Sequence, residues 1–419
     1  MKAPRTIAAA LLAALTLAAC APASGTQTSA PTAAPDTGQA ADPAAAAGAN
    51  LRILTAGNAD GMYAAVTVPE PGSRIFPTLL SWIDYASARQ VILCSRPNCD
   101  HSDDSCPARL PAGAGEAGCY ALDDGLLLKY SVTDPDTYAL TGQYLYLCAA
   151  DGSDPRLLAQ TAANWDLLTD GDAVYYSCQQ AESQDPDALA QSVWYRQPLS
   201  GGQAEELFRC DIGDMPVCCA GRELVQVSWF DNALYAVNMD TGVRRTLPMT
   251  PAGEDGQSSA FAALDGRLYQ LLPGDTDTLR WLDIASGQAG TLALQWPDGA
   301  AAGEPGPFSA AGGKLLLELG DGAGNYRRVA VDPADGSVTE VPLQFMDGSY
   351  LQPVRILAEG GSQLYVQYET RFESVTLPGK SGEPVPGETA VPRTALISYT
   401  DFFAGVPNYR DVETLPAVQ

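Results

Sequence analysis

Tyr120–Leu158 reads YALDDGLLLKYSVTDPDTYALTGQYLYLCAADGSDPRLL. Four short apolar and aromatic runs alternate in it with turn residues. Tyr120–Leu122 faces Leu126–Tyr130 across Asp123-Asp124-Gly125, where glycine is expected to supply the positive φ of a tight hairpin. After a polar loop, Tyr144–Cys148 meets Pro155–Leu158 across Asp151-Gly152-Ser153. Four strands this short cannot cover their own faces, so they need neighbours of the same kind.

The chain supplies those neighbours. The first turn recurs at Asp60-Gly61, Asp170-Gly171, Ala220-Gly221, Asp265-Gly266, Gly312-Gly313 and Gly360-Gly361. Glycines 125, 171, 221, 266, 313 and 361 are 46, 50, 45, 47 and 48 residues apart by subtraction. The second turn recurs at Ala86-Ser87, Ser200-Gly201-Gly202, Asp240-Thr241-Gly242, Ala285-Ser286-Gly287 and Asp335-Gly336-Ser337, with a less regular version at Phe403-Ala404-Gly405. Short strands rich in Tyr, Val, Leu and Trp at a long, sustained period predict an all-β fold, a β-propeller of seven four-stranded blades. Six or eight blades are the alternatives, because the first and last copies are the least regular. A two-sheet sandwich does not account for the period.

Outward from the repeats, the chain divides into three parts. Met1–Ala19 has a basic start (Lys2, Arg5), then an apolar run, Ile7–Leu17, too short to span a membrane. It ends in Leu17-Ala18-Ala19-Cys20, which resembles the bacterial lipobox, and Cys20 is therefore the expected lipidated residue. An ordinary signal peptide cut near Ala19 or Ala21 is the competing reading. Residues 20–50 are Ala, Pro, Thr, Ser and Gly without a large apolar side chain, a tether on the order of 30 Å in coil form. Residues 51–419 form the repeat domain. The formal net charge is -26, and loss of Lys2 and Arg5 with the signal gives -26 - 2 = -28. With no basic stripe, nucleic acid is excluded as a partner, and the membrane is reached through the anchor alone. The expected location is the extracytoplasmic face of the bacterial cell membrane.

One interval breaks the period. Gly61 and Gly125 are 125 - 61 = 64 residues apart, and the excess coincides with CSRPNCDHSDDSC at 94–106 and a Gly/Ala-rich run to Cys119. His101 is the sole histidine of the chain and lies among three cysteines. Cys94, Cys99, His101 and Cys106 are a three-thiolate, one-imidazole set of the kind that holds one structural zinc ion tetrahedrally. The alternative is a pair of disulfides among Cys94, Cys99, Cys106 and Cys119 in an oxidising compartment. Nine cysteines remain besides Cys20. Three in a metal site would leave Cys119, Cys148, Cys178, Cys210, Cys218 and Cys219, an even six; both readings stay open. Adjacent Cys218 and Cys219 on a strand point to opposite faces.

The phrase Ile83-Asp84-Tyr85 followed by Leu93–His101 and Cys106 resembles a recurring element of propeller-type lipoproteins in Gram-positive gut bacteria. The Tyr-rich repeats with Asp-Gly-Ser turns are similar to that group and to TolB-like propellers. The cysteine phrase covers about two dozen residues (83–106) and the repeat likeness the remainder. This resemblance implies fold and location and no activity.

Catalysis by histidine would have to use His101, inside the cysteine set, and no Gly-x-Ser-x-Gly elbow, His-Glu-x-x-His helix or phosphate loop is present. The expected function is binding or scaffolding of a protein or glycan at the cell surface. A glycosidase-like carboxylate pair in the central funnel is the alternative. In a propeller the loops between second and third strands share one face with the blade-to-blade crossovers. The cysteine insertion is such a crossover, and the loops at Ser131–Thr141, Gln179–Gln191 and Leu377–Pro392 are long. Those near Phe230–Asn232, Pro273–Thr278 and Gly320–Asn325 are short. The elaborate loops then fall on the consecutive blades 7, 1, 2 and 3, where recognition is expected, with Arg96, Asp103, Asp104, Asp134, Asp136 and Tyr138 among the contacts.

Overall fold

The computed structural model describes residues 50–415, apart from 69–76, 104, 112, 135–136, 138, 162–165, 181–190, 212–213, 229, 253–258, 273, 298–302 and 379–383. All of them belong to one compact unit, Gly48–Gln419. The chain first lays down a two-residue strand, β1 (Arg52–Ile53). Blade 1 follows as β2 (Gly61–Thr67), β3 (Thr78–Asp84) and β4 (Arg89–Ile92). Blade 2 is β5 (Ala114–Leu122), β6 (Gly125–Thr133), β7 (Leu140–Cys148) and β8 (Arg156–Thr161). Blade 3 is β9 (Leu167–Thr169), β10 (Ala173–Gln180), β11 (Gln191–Pro198) and β12 (Glu205–Asp211). Blade 4 comprises β13 (Asp214–Ala220), β14 (Glu223–Ser228), β15 (Ala233–Asn238) and β16 (Arg244–Thr246). In blade 5 these are β17 (Ala260–Leu264), β18 (Arg267–Leu271), β19 (Thr278–Asp283) and β20 (Ala289–Ala293). Blade 6 has β21 (Glu304–Ala311), β22 (Lys314–Gly320), β23 (Tyr326–Val331) and β24 (Val338–Val341). A separate hairpin, β25 (Gln344–Asp347) and β26 (Tyr350–Pro353), precedes blade 7. That last blade is β27 (Arg355–Gly360), β28 (Gln363–Pro378), β29 (Pro384–Ser398) and β30 (Arg410–Asp411), with a short helix, α1 (Tyr399–Ala404), before β30. Within each blade the strands pair antiparallel in sequence order. The fold is the seven-bladed β-propeller that the period predicts.

The second strand of each blade explains the unbroken apolar runs. Leu126 and Leu128 of β6 enter the apolar cluster between blades 1 and 2, while Leu127 enters the one between blades 2 and 3. Both faces of an inner strand are therefore buried, and alternation disappears. Further clusters lie between blades 3 and 4 (Trp194, Leu224), 4 and 5 (Val225, Leu268), 5 and 6 (Leu279, Leu315), and 6 and 7 (Leu316, Leu364). The ring closes through a seventh, formed by Ile83, Tyr85, Tyr365 and Leu396.

Closure does not exchange strands between the chain ends. All described strands of blade 7 come from the C-terminal part, and β30 hands over to blade 1 by a parallel bridge between Glu413 and Arg89. The Gln90 amide donates to the Glu413 carbonyl at 2.8 Å, and the Arg410 guanidinium donates to the carbonyls of Tyr85 and Ala86. A Cβ at Gly360 would lie 2.2 Å from the Tyr85 ring, so glycine is needed where the two blades meet.

Three findings differ from the sequence reading. Gly125 does not supply positive φ: the turn is Asp123-Asp124, and Gly125 opens β6, where a Cβ would come 2.8 Å from the Cys148 carbonyl oxygen. The supposed loop at Leu377–Pro392 is mostly strand, since β28 and β29 pair up to Pro378 and Pro384. Finally, β1 does not begin blade 1. It pairs antiparallel with β9, Arg52 opposite Thr169 and Ile53 opposite Leu168, as a fifth, innermost strand of blade 3. Leu51 and Leu54 are buried, the Leu51 amide donates to the Gly221 carbonyl at 2.8 Å, and Arg52 pairs with Asp123 at 2.9 Å. Gly221 and Asp123 sit in first-to-second-strand turns, so the chain enters the ring from the face that carries those turns. It rises along β9 before Thr55 receives the Ala121 amide and the chain descends into blade 1.

On that turn-bearing face Asp170, Tyr175, Arg222 and Asp240 form one network. Asp170 accepts from the Tyr175 hydroxyl at 2.7 Å and from Arg222 at 2.9 Å. Burial raises the Asp170 carboxyl, but the Tyr175 hydroxyl, the Ala173 amide and Arg222 outweigh it and hold it below the ordinary carboxylate value. A depressed folded-state pKa contributes stability above the unfolded value, and that contribution disappears as pH falls through the folded one. Asp170→Asn should therefore lose less stability than the unaltered chain on going from about pH 6 to about pH 3. Urea midpoints across that range check it; parallel curves would show that the network carries no such term.

Candidate metal centre and the loop-bearing face

The cysteine insertion is held at both ends by one strand. β3 pairs with β4 as far as Ser81 opposite Ile92, and the chain then leaves the sheet. It returns where β4 stopped: the Leu80 amide donates to the Ala108 carbonyl at 2.8 Å, and the Leu110 amide to the Thr78 carbonyl at 2.9 Å. Between these anchors the backbone turns on itself through left-handed residues, Asn98 and His101, each at φ 58°. Asx turns tighten it further. Asp100 Oδ1 accepts from the Ser102 amide and hydroxyl at 3.2 and 2.8 Å, and Asp103 Oδ1 accepts from the Ser105 amide at 2.8 Å.

This path brings together the four predicted ligands. The donor atoms of Cys94, Cys99, His101 and Cys106 all lie within 4.8 Å of one another, and His101 Nδ1 is 3.2 Å from Cys106 Sγ. A tetrahedral ion with Zn–S bonds of about 2.3 Å holds its sulfurs about 3.8 Å apart, so the set fits with small adjustments. Among the described residues this is the one grouping of three or more His, Cys, Asp or Glu with that convergence. Cys106 is buried against the cluster between blades 1 and 2, and Cys94 and Cys99 pack on it half-buried.

Electrostatics around the thiols are uneven. Burial pushes Cys106 up to about 11, with the neighbouring Cys99 and Cys94 thiols adding to it and the Ala108 amide opposing. Burial also raises Cys94, but bonds from the Arg96 amide, Cys99 and Cys106 and the Arg96 charge outweigh it, leaving that thiol below its ordinary value. Arg96 donates to the Ser105 hydroxyl at 2.8 Å, and Arg109 to the His101 carbonyl at 3.3 Å. Three thiolates around a divalent cation leave one negative charge, which two adjacent guanidinium groups offset. All nine cysteines among the described residues are free thiols, and Cys119 belongs to β5, outside the four-residue set.

The expected contact residues divide. Arg96 and Asp103 are exposed on the insertion, and Asp134 caps its own loop, accepting from the Thr137 amide at 2.8 Å. The Thr133 amide donates to the Gly113 carbonyl at 3.0 Å, so that loop and the insertion share a face. Asp104, Asp136, Tyr138 and Cys20 lie outside the described residues, as do 181–190 of the blade 3 loop.

The elaborations are not confined to blades 7, 1, 2 and 3. The hairpin β25–β26 rises on the same face beside blade 6. It walls an open groove of about 1380 Å³ lined by Ser259, Thr276, Glu304, Asp321, Tyr326 and Gln344 among others. Its floor is glycine-rich: a Cβ at Gly306 would come 2.9 Å from the Tyr326 ring. The sequence signal for it was the glycine density in Gly303–Gly306 and Gly320–Gly324, which turn spacing alone had absorbed.

No family model matches the sequence, and no curated protein matches it. Among solved structures, the chain is similar to a puromycin hydrolase, with 15% identity and TM-score 0.42, over 85% of this chain and 52% of that one. It is similar to the acylaminoacyl peptidase of Pyrococcus horikoshii, with 10% identity and TM-score 0.49, over 86% and 52%. The β-propeller domain of the Trilobed protease from Pyrococcus furiosus, described as having an open velcro topology, is similar at 9% identity and TM-score 0.46, over 86% of this chain and 99% of that one. The chain spans about half the length of the first two.

Proposed function

We propose that this chain is a lipid-anchored, extracytoplasmic binding protein. In this reading residues 1–19 are a signal peptide, Cys20 carries the lipid, 20–50 are a tether, and the propeller presents its loop-bearing face to a macromolecular partner. One structural zinc ion is held by Cys94, Cys99, His101 and Cys106. The observation that carries the reading is the convergence of those four donors at the root of an exposed loop. A loop this polar cannot fix its shape by burial, and an ion that fixes it pre-organises a surface for recognition. Arg96 and Asp103 are exposed on that loop, and Asp134 belongs to the blade 2 loop on the same face, polar positions that a macromolecular partner can reach. The described residues offer no observation that favours the glycosidase alternative.

Two variants test the reading. Cys20→Ala should move the protein from the membrane fraction to the medium; retention in the membrane with the signal processed would refute the anchor. Shortening the loops at 134–139 and 181–190 should abolish capture of the surface partner while leaving the melting temperature nearly unchanged. Undiminished capture, or a partner mapped to the turn-bearing face, would refute the binding face.

A further inference from the structure

The β28–β29 hairpin outgrows its blade. β27 pairs with β28 only as far as Arg355 opposite Gln367, and β30 reaches β29 only at Ala395 and Leu396. Beyond a bulge between Gln367 and Glu369, the two strands continue as a ribbon to which no other described strand is hydrogen-bonded, with β25 packed beside β28 at its root. Asp347 of β25 touches it at Thr370, whose hydroxyl donates at 3.3 Å, and residues 371–374 beyond are exposed. A two-stranded ribbon leaves the N–H and C=O groups of alternate residues pointing outward on both edges, which invites strand addition.

The two edges are not equivalent. On β29, Pro384, Pro386 and Pro392 stand opposite Pro378, Thr376 and Thr370. Proline has no N–H, so these pairs are the ones that exchange no hydrogen bond across the ribbon, and their groups face outward. Three of the outward positions of β29 therefore present no donor. On β28, Pro378 also lacks a donor, whereas the outward positions Thr370, Phe372, Ser374 and Thr376 keep theirs. The β29 edge keeps donors only at Glu388 and Ala390 among its outward positions 384–392, whereas the β28 edge keeps them from Thr370 to Thr376, with Phe372 on it 60% exposed.

The open edge is also complementary to itself. If two copies of β28 pair antiparallel about a two-fold axis through Phe372, residue numbers across the pair sum to 744. Arg371 then faces Glu373 of the second copy, Phe372 faces Phe372, and Thr370 faces Ser374. Each is a favourable cross-strand combination, and the ion pair occurs twice. The outward-facing even residues become the hydrogen-bonded pairs, as the proline positions require.

We propose that the β28 edge is a self-association surface, through which two copies of this chain form an isologous dimer with a continuous four-stranded sheet across the two-fold axis. The edge lies on blade 7 and uses no residue of the cysteine loop, so the dimer does not depend on the metal.

Oxidative cross-linking of the full chain reads the register. Phe372→Cys should give a disulfide-linked dimer, whereas Ser374→Cys and Glu388→Cys, with the same ten native cysteines as background, should not. Sedimentation of the full chain tests the interaction without cross-linking. Ser374→Pro removes an outward N–H and none of the ribbon's own bonds, so it should abolish the dimer at unchanged melting temperature. Arg371→Glu should weaken dimerisation about tenfold or more, and Arg371→Glu with Glu373→Arg should restore it. A chain that stays monomeric at high concentration, cross-linking that does not distinguish position 372 from 374, or a dimer indifferent to Ser374→Pro would each overturn the proposal.

Discussion

A chain carrying Cys99→Ser should retain less than about a tenth of the zinc that the unaltered chain carries, because three remaining ligands lose most of the affinity of a closed four-ligand site. His101→Ala should behave alike, and Cys119→Ser should leave the metal content unchanged. Native mass spectrometry or elemental analysis reads the stoichiometry directly. Chelation should also lower the melting temperature, since an ion bound only by the folded form stabilises it by mass action. The competing disulfide reading makes opposite forecasts. With Cys94, Cys99, Cys106 and Cys119 paired, the denatured chain would show four fewer titratable thiols, and His101→Ala would change nothing. A metal-free protein with those bridges intact would end the zinc assignment.

The second large effect lies in the core. Trp194 of β11 is fully buried between blades 3 and 4 and stacks on Phe208 with ring centroids 6.0 Å apart. Trp194→Ala should lower the stability of the domain by about 3–5 kcal/mol, through lost transfer energy and the cavity left behind. Trp194→Phe should cost roughly half that or less, since more of the volume remains filled. Urea unfolding followed by far-ultraviolet circular dichroism measures both. A loss below about 1 kcal/mol for the alanine variant would mean that adjacent blades repack around the gap.

The repeat was legible because each blade spells the same physics in local sequence. An acidic or small residue with glycine turns the chain, and an inner strand follows whose two faces are both buried. The convergence of Cys94, Cys99, His101 and Cys106 was legible likewise, because the four come from one short segment that folds back on itself. What failed to show was non-local or disguised. β1 is two residues long, and its partner β9 lies more than a hundred residues along the chain, so no window of sequence contains the pairing. The arm of β28 and β29 passed for a loop because prolines argue against strands, whereas here they occupy the positions where no N–H is needed. The hairpin β25–β26 hid inside a stretch that the period assigned to a crossover. Cysteine parity leaned towards the metal reading, since the nine cysteines besides Cys20 cannot all pair whereas three in a metal site leave an even six, but a count alone does not tell a metal site from bridges.

The route of the first residues through the ring has a mechanical consequence. Leu51 sits at the turn-bearing face, while the cysteine loop and the β28 arm stand on the other. A pull on Leu51 along the axis of β1 loads its short ladder to β9 in shear, together with the Arg52–Asp123 contact. That ladder spans two residues, as short as the β29–β30 ladder and shorter than those that hold the inner strands of each blade together, so it yields before them. Its rupture frees Leu51–Leu54, up to about 14 Å of slack at full extension, while Thr55, Ala56 and Asn58 stay bonded to Ala121, Tyr63 and Gly61. The neighbouring blades and the clasp at Glu413 still hold β2–β4 in the ring. A load on Leu51 is thus taken up at the centre of the ring by a sacrificial link, before it reaches the blades.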